Sequence, residues 1–244
     1  MARQSRPSPA ILLTRPAGRN ERFAQELAMA FGAMTIVQSP LLAITYLNPA
    51  VPDEGIKSLI FTSEAGVEGY RRLAGDRPPV RRAWCVGQRT ADAAQAIGLE
   101  AVAAGGNAHA LCAAIIAAKE SGPCLHLHGR DTRGDVVATL GARGVVARSC
   151  TVYAQEPQPL TSAAKTLLSG KDPVVAPVFS PRTAALLSGE RKRLLLPAPL
   201  WFIALSCDVA AELTLQKDDR TAISQSPDST GLIAAAGTFL TASA

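Results

Sequence analysis

The chain has 244 residues, 48% of them hydrophobic and 18% charged, with a formal net charge of +5. That apolar share, with a mean hydropathy of +0.14, supports a packed core and excludes a disordered chain. Only 5% is aromatic and the basic residues form short runs rather than a stripe, which argues against nucleic acid and for an acidic small ligand.

The opening "MARQSRPSPAILLTRP" holds an apolar run too short for a signal peptide. A strand is expected at 10–14, a helix at 19–31, and strands at 34–37 and 41–47. Next come a strand at 57–61 ending in Phe-Thr-Ser, a helix at 64–73, a strand at 82–86 and a helix at 88–97. A strand at 100–103, a helix at 108–119, a strand at 123–128, a helix at 133–142 and a strand at 145–153 follow. The last part reads as helix 160–168, strand 173–179 ending in Phe-Ser, helix 182–188, strand 200–205, helix 208–216, strand 220–224 and helix 229–240. Alternation of this kind predicts an α/β fold with mainly parallel strands. No apolar stretch is long enough to span a membrane. The five cysteines are odd in number, far apart and without a CxxC pair, so neither a disulfide framework nor a zinc knuckle is expected. A soluble, cytoplasmic, monomeric protein is the expectation.

The two Phe-Ser turns belong to an internal repeat. After "LIFTSEAGV" come "AWCVGQRTADAAQAIG" and "LEAVAAGGNAHALCAAI"; after "VFSPRTA" come "WFIALSCDVAAEL" and "RTAISQSPDSTGLIAAA". Asn107 and Asp228 match as helix N-caps. The first copy continues into "PCLHLHGRDTRGDVVATLGARGVVARSCTVYA", whose counterpart is the N-terminal "AILLTRPAGRNERFAQELAMAFGAMTIV". One lobe is therefore expected from residues 1–35 with 155–244 and an inserted lobe from 45–149, with crossings at 36–44 and 150–154 forming a two-strand hinge beside a cleft. Two similar flavodoxin-like parallel-sheet lobes result, with ligand contacts at strand C-termini, where helix N-termini present free N–H groups.

In their order and spacing, "ILLTRP", "LIFTSEAGV", "CVGQRTADA", "LHGRDTRGD" with "GVVARSCTVY", "VFSPRTA" and "IALSCDVAAEL" resemble the uroporphyrinogen-III synthase family over almost the whole chain. The resemblance implies a hydro-lyase of tetrapyrrole biosynthesis that needs no metal or organic cofactor. Its substrate would be hydroxymethylbilane, a linear tetrapyrrole with eight carboxylates, closed with inversion of ring D and loss of water. Some residues depart from the family's habit: Ala204 stands where glycine is usual, Cys207 where threonine is common and His128 where many members have arginine. Pro177, inside an apolar strand, predicts a short or edge strand.

Thr62, Ser63 and Ser180 are the leading substrate contacts, in positions where plain N-capping is the competing reading. Thr90 and Ser206 fill the second turns, and Gly87 leaves room for close backbone approach. Arg15, His128, Gly129 and Arg130, at strand ends, complete the candidate carboxylate contacts. The resemblance makes Tyr153 the favoured acid for departure of the hydroxyl, against a hinge tyrosine with its phenol in water. His126 and His128 share a strand face but lack a third metal ligand at sensible spacing. The rival reading is a two-lobed binding or sensor protein for an acidic ligand, yet neither a signal peptide nor a DNA-binding helix pair is visible.

Overall fold

Short apolar runs closed by hydroxyl, glycine or proline turns leave little choice but strands buried on both faces. The computed structural model describes residues 9–240 apart from 53, 75–79, 121 and 133. The expected helix start at 133 and the first eight residues of the expected N-terminal lobe lie outside the described residues. The chain divides into two compact units, Met1–Ala43 with Pro157–Ala244, and Ile44–Glu156.

Unit 1 contains β1 (Ala10–Leu13), α1 (Ala17–Phe31) and β2 (Ile36–Gln38), then α6 (Ser162–Leu168), β9 (Val174–Val178) and α7 (Pro181–Arg193). It ends with β10 (Leu200–Ala204), α8 (Cys207–Ala211), β11 (Arg220–Ile223) and α9 (Ser229–Leu240). Its strands run β2-β1-β9-β10-β11 in one parallel sheet. Strand parity sorts the core. Leu12, Ala176 and Phe202 pack under α6, α7 and α8, while Ile11, Leu13, Val175 and Ile203 pack with Phe23 and Leu27 of α1 and Leu232 and Ala236 of α9.

Unit 2 is built from β4 (Ser58–Phe61), α2 (Glu64–Ala74), β5 (Arg82–Cys85), α3 (Gln88–Ala96) and β6 (Glu100–Ala103). α4 (Ala108–Ala117), β7 (Cys124–Gly129), α5 (Val136–Gly141) and the long β8 (Ala147–Pro157) follow. The sheet order is β3-β8-β7-β4-β5-β6, with β3 spanning Leu42–Tyr46. Its ladders from β8 to β6 are parallel. Leu47 N–H donates to the Val152 carbonyl and Gln158 N–H to the Leu41 carbonyl, so β3 runs antiparallel to β8. Leu59, Phe61, Leu125 and Leu127 face α2 and α3. Ile60, Trp84 and Cys124 face Leu111 and Ile115 of α4 and Leu140 of α5. Both units are thus doubly wound α/β folds.

Matching β2-β1-β9-β10-β11 with β8-β7-β4-β5-β6 aligns the two orders strand for strand. The strands that end in Phe-Ser and Phe-Thr-Ser, β9 and β4, sit at corresponding places. The stretch 36–44 does not form a single crossing: Ile36–Gln38 pairs with β1 inside the first sheet. Residues 150–154 form the middle of β8 (Ala147–Pro157), with Cys150, Val152 and Ala154 buried, and the chain passes between the units after Glu156.

Of the two expectations for Pro177, a short strand holds, since β9 has five residues, while the edge position needs correcting, because β9 lies between β10 and β1. Val174 N–H donates to the Pro199 carbonyl and the Val178 carbonyl accepts from Leu205 N–H, so these two residues turn their polar groups toward β10. Backbone groups alternate sides along a strand, and Pro177 turns toward β1. The β1 ladder pairs only Ala10 with Val174 and Ile11 with Val175. The proline therefore ends that ladder without leaving a donor unpaired.

Arg191, in the short basic run Arg191–Arg193, is 1% exposed. It falls on the buried stripe of α7 with Ala184, Leu187 and Ser188. Its guanidinium donates to both Asp219 carboxylate oxygens at 2.5 and 3.0 Å and to the Ala198 carbonyl at 2.6 Å. Asp219 in turn accepts from Leu200 N–H and Gln216 N–H, each at 2.7 Å. Asp219→Ala strands a buried cation, and stability in urea should fall by about 3–5 kcal/mol. An unchanged unfolding midpoint would show that the pair does not hold α7 to β10.

Candidate functional site

In a parallel sheet all strands end at one edge, and the helices that follow begin there. In unit 2 that edge collects Thr62 and Ser63 after β4, Gly87 after β5, His128 and Gly129 closing β7, and Tyr153 on β8. Ser63 caps α2, its Oγ accepting from Gly66 N–H at 3.1 Å. The helix then runs close over the sheet: a Cβ on Gly66 would lie 2.7 Å from the Leu127 carbonyl oxygen, and one on Gly69 2.7 Å from a Val152 methyl. Above β8, Ser63 Oγ lies 3.0 Å from Tyr153 Oη. Ser63 is thus both cap, as the competing sequence reading had it, and phenol partner, which the sequence did not announce.

Tyr46, at the end of β3, belongs to the same neighbourhood. The cross-strand bonds of β3 and β8 set it opposite Tyr153, and the Arg72 guanidinium lies 3.9 Å from its ring centroid. Burial, then the Glu68 carboxylate, push its phenol pKa up; Arg72 opposes and Tyr153 adds to the rise. Sequence reasoning missed this residue. The signal was the pair "ITY" and "TVY" on two strands expected to run together.

Thr62 Oγ1 lies 3.4 Å from His126 Nε2. His126 is 5% exposed, and burial, aided by the nearby His128 and opposed by Asp135, lowers its pKa to about 4. The two imidazoles are 4.7 Å apart. His128 Nδ1 is 2.7 Å from the Gly129 carbonyl; a carbonyl only accepts, so Nδ1 carries the proton. Its Nε2 therefore donates to a carboxylate only when the ring is cationic. Among the described residues no group of three or more His, Cys, Asp or Glu is placed to hold a metal ion.

The other candidates divide. Arg130 N–H donates to the Tyr153 carbonyl at 2.9 Å, while its exposed guanidinium pairs with Glu156. Gly87 begins α3 without a side-chain cap. A Cβ there would meet only the Gly106 Cα at 3.7 Å, so packing within the chain does not require glycine. Thr90 is buried on α3 and leaves the set of surface donors, because its place in the helix turns it to the core beside Ala91 and Ala94. In unit 1, Arg15 places its guanidinium 3.7 Å from the Phe179 ring centroid. Buried Asn20 shapes that turn, accepting from Arg15 N–H and donating to the Leu13 carbonyl. Ser180 caps α7 through Thr183 N–H at 3.2 Å, with the Thr183 hydroxyl 2.9 Å away. Ser206 caps α8 through Val209 N–H at 3.4 Å.

Fold and turns together define a duplicated parallel α/β protein that offers hydroxyls and helix N-termini for an anionic ligand. A family model described as "Uroporphyrinogen-III synthase HemD" matches residues 21–234. The chain belongs to the uroporphyrinogen-III synthase family. The crystal structure of uroporphyrinogen-III synthetase from Helicobacter pylori is similar, with 15% identity, a TM-score of 0.64, and coverage of 94% of this chain and 99% of that one. A mutant uroporphyrinogen III synthase from the extremely thermophilic bacterium Thermus thermophilus gives 15% identity, a TM-score of 0.51, and coverage of 96% and 100%. These structural likenesses speak for the fold. A search of curated proteins by sequence finds no significant match. The sensor reading is not favoured, and the enzyme reading is.

The depressed His126 gives a test in pH. The unfolded chain takes up the proton near pH 6.5 and the folded one only near pH 4, so stability falls as pH drops through that window. Each unit of pKa difference is about 1.4 kcal/mol. Between pH 7 and 5, His126→Gln should lose about 2 kcal/mol less unfolding free energy than the unaltered chain. Equal losses in urea titrations at the two pH values would show that His126 titrates normally.

Proposed function

We propose that the family's reaction, closure of hydroxymethylbilane to uroporphyrinogen III with loss of water, is carried in this chain by the Tyr153 phenol and the donors around it. The carrying observation is the 3.0 Å contact between Ser63 Oγ and Tyr153 Oη. Ser63 already accepts from Gly66 N–H at the positive end of α2. When Ser63 donates its own proton to the phenol oxygen, the phenol proton is left for the substrate, and the tyrosinate that forms is stabilised.

In the reaction, the phenol proton goes to the terminal hydroxyl as its C–O bond breaks and water leaves. The pyrrole nitrogen supplies the electrons, giving an azafulvene. Attack by the substituted carbon of ring D gives a spiro intermediate, which fragments and recloses with that ring reversed. The proton lost on re-aromatisation restores the phenol. Every electron moved comes from the substrate, so the steps balance without an oxidant or reductant. Spontaneous closure gives the uninverted isomer, and holding one conformer is the larger share of the work, since orientation can supply ~7–11 kcal/mol.

Eight carboxylates call for many donors, each worth about 1.5–3 kcal/mol when the partner is charged. Within unit 2 the proposal assigns carboxylate contacts to Thr62, Gly87, His128 and Arg130; Arg15, Ser180 and Ser206 are the candidate anion contacts of unit 1 taken by itself. Capping and carboxylate binding are compatible, since a cap leaves other N–H groups of the first turn available. The reading takes the enzyme to act as a monomer in the cytoplasm. Five free thiols suit a reducing compartment, and among the described residues no helix is long and apolar enough to cross a membrane.

Purified protein given freshly generated hydroxymethylbilane should yield the type III isomer, read by chromatography of the oxidised products. Tyr153→Phe should lower kcat by ~10²-fold, with smaller losses for Thr62→Ala or Ser180→Ala. Production of type I alone would overturn the reading. Full turnover by Tyr153→Phe would remove the phenol from the mechanism while leaving the activity in place.

A further inference from the structure

β7 ends in a register irregularity: His128 pairs with Thr151, yet Gly129 pairs with Tyr153, so the ladder passes over Val152. The shift brings Tyr153 beside a buried glycine. A Cβ on Gly129 would lie 2.6 Å from both Tyr153 Cε2 and Cζ and 2.9 Å from its Oη. Carbon atoms pack best near 3.5–4.0 Å, so even a methyl group would displace the ring by about an ångström. All three nearest atoms belong to Tyr153.

Glycine is not there for the backbone. Gly129 is absent from the residues with positive φ, which include Gly134 and Gly144 nearby, so alanine could take its conformation without strain. What alanine could not do is leave the phenol where it is. The Ser63 bond at 3.0 Å fixes the phenol from one side, and the bare Gly129 Cα lets the ring lie down against β7 from the other.

We propose that Gly129 is a positioning residue, a seat that holds the Tyr153 phenol against Ser63, rather than a contact for substrate. The inference rests on the reading of Tyr153 as the acid. Gly129→Ala then acts through the tyrosine: the ring tips away, the bond to Ser63 lengthens, and the phenol no longer meets the leaving hydroxyl.

Two cycles test this. In activity, Gly129→Ala should lower kcat by ~10²-fold with KM little changed, and should add almost nothing in a Tyr153→Phe background. In stability, Gly129→Ala should lower Tm in the unaltered chain yet leave Tm unchanged in a Tyr153→Ala background, where no ring meets the new methyl. If Gly129→Ala alone fails to fold, the Gly129→Ala/Tyr153→Ala chain must still fold as Tyr153→Ala does. An equal Tm loss in both backgrounds, or none in either, overturns the seat. A raised KM with kcat intact would return Gly129 to substrate binding. If Tyr153→Phe keeps full kcat while the Tm cycle behaves as stated, the acid assignment fails and the seat stands.

Discussion

Parallel pairing is the constraint on which the rest of this molecule depends. Once every strand of a sheet from β7 to β6, or from β2 to β11, points the same way, all strand C-termini and all following helix N-termini fall on one edge. Each helix start there has unpaired N–H groups. Ser63, Asn107, Asp135, Thr161, Ser180, Ser206 and Asp228 each satisfy one such donor with a side-chain oxygen. A surface rich in donors is therefore a by-product of the architecture, and it suits a ligand made of carboxylates.

The duplication did not leave the two units chemically equal. Ser63 and Ser180 stand at matching turns, but Ser63 meets a phenol across the sheet edge while Ser180 meets Thr183 of its own helix. The strand that corresponds to β8 is β2, three residues long and without an aromatic. The added strand β3 exists only on the unit 2 sheet, and it brings Tyr46 opposite Tyr153. The Ser63–Tyr153 contact and the extra strand thus arrive in the same place, while unit 1 keeps the plain form of the turn.

Much of this was legible in the sequence because it is local. Apolar runs bounded by hydroxyl turns marked the strands to within a few residues, and Asn107 and Asp228 declared themselves as caps by their place before a helical period. What stayed hidden depends on partners distant along the chain. Pro177 reads as the mark of a short or edge strand, and only the direction of its neighbours' backbone groups shows how a central strand holds it. The sequence shows Arg191 only as part of a short basic run, although its spacing from Ala184 and Leu187 placed it on the buried stripe of α7. The same helix runs on to Arg193, past the expected end at 188, and α8 stops at Ala211 rather than 216. Gly129 reads as a carboxylate contact at a strand end because nothing local announces an aromatic ring from the next strand.

The way unit 1 is assembled bears on how the chain comes to be folded at all. β1 pairs with β2 close by in the chain, but its other neighbour, β9, where Ala10 meets Val174, follows only after all of Ile44–Glu156 has been synthesised. Unit 2, by contrast, is one continuous stretch and has every one of its strand partners once β8 has emerged. During synthesis the early segment β1-α1-β2 is an orphan, with its apolar face uncovered while a complete unit 2 forms behind it. Folding unit 2 first replaces a long flexible loop with a compact insert, which reduces the entropy of bringing β1 to β9. A compact unit 2 thus eases the closure of unit 1, whose β1 meets β9 across the whole insert.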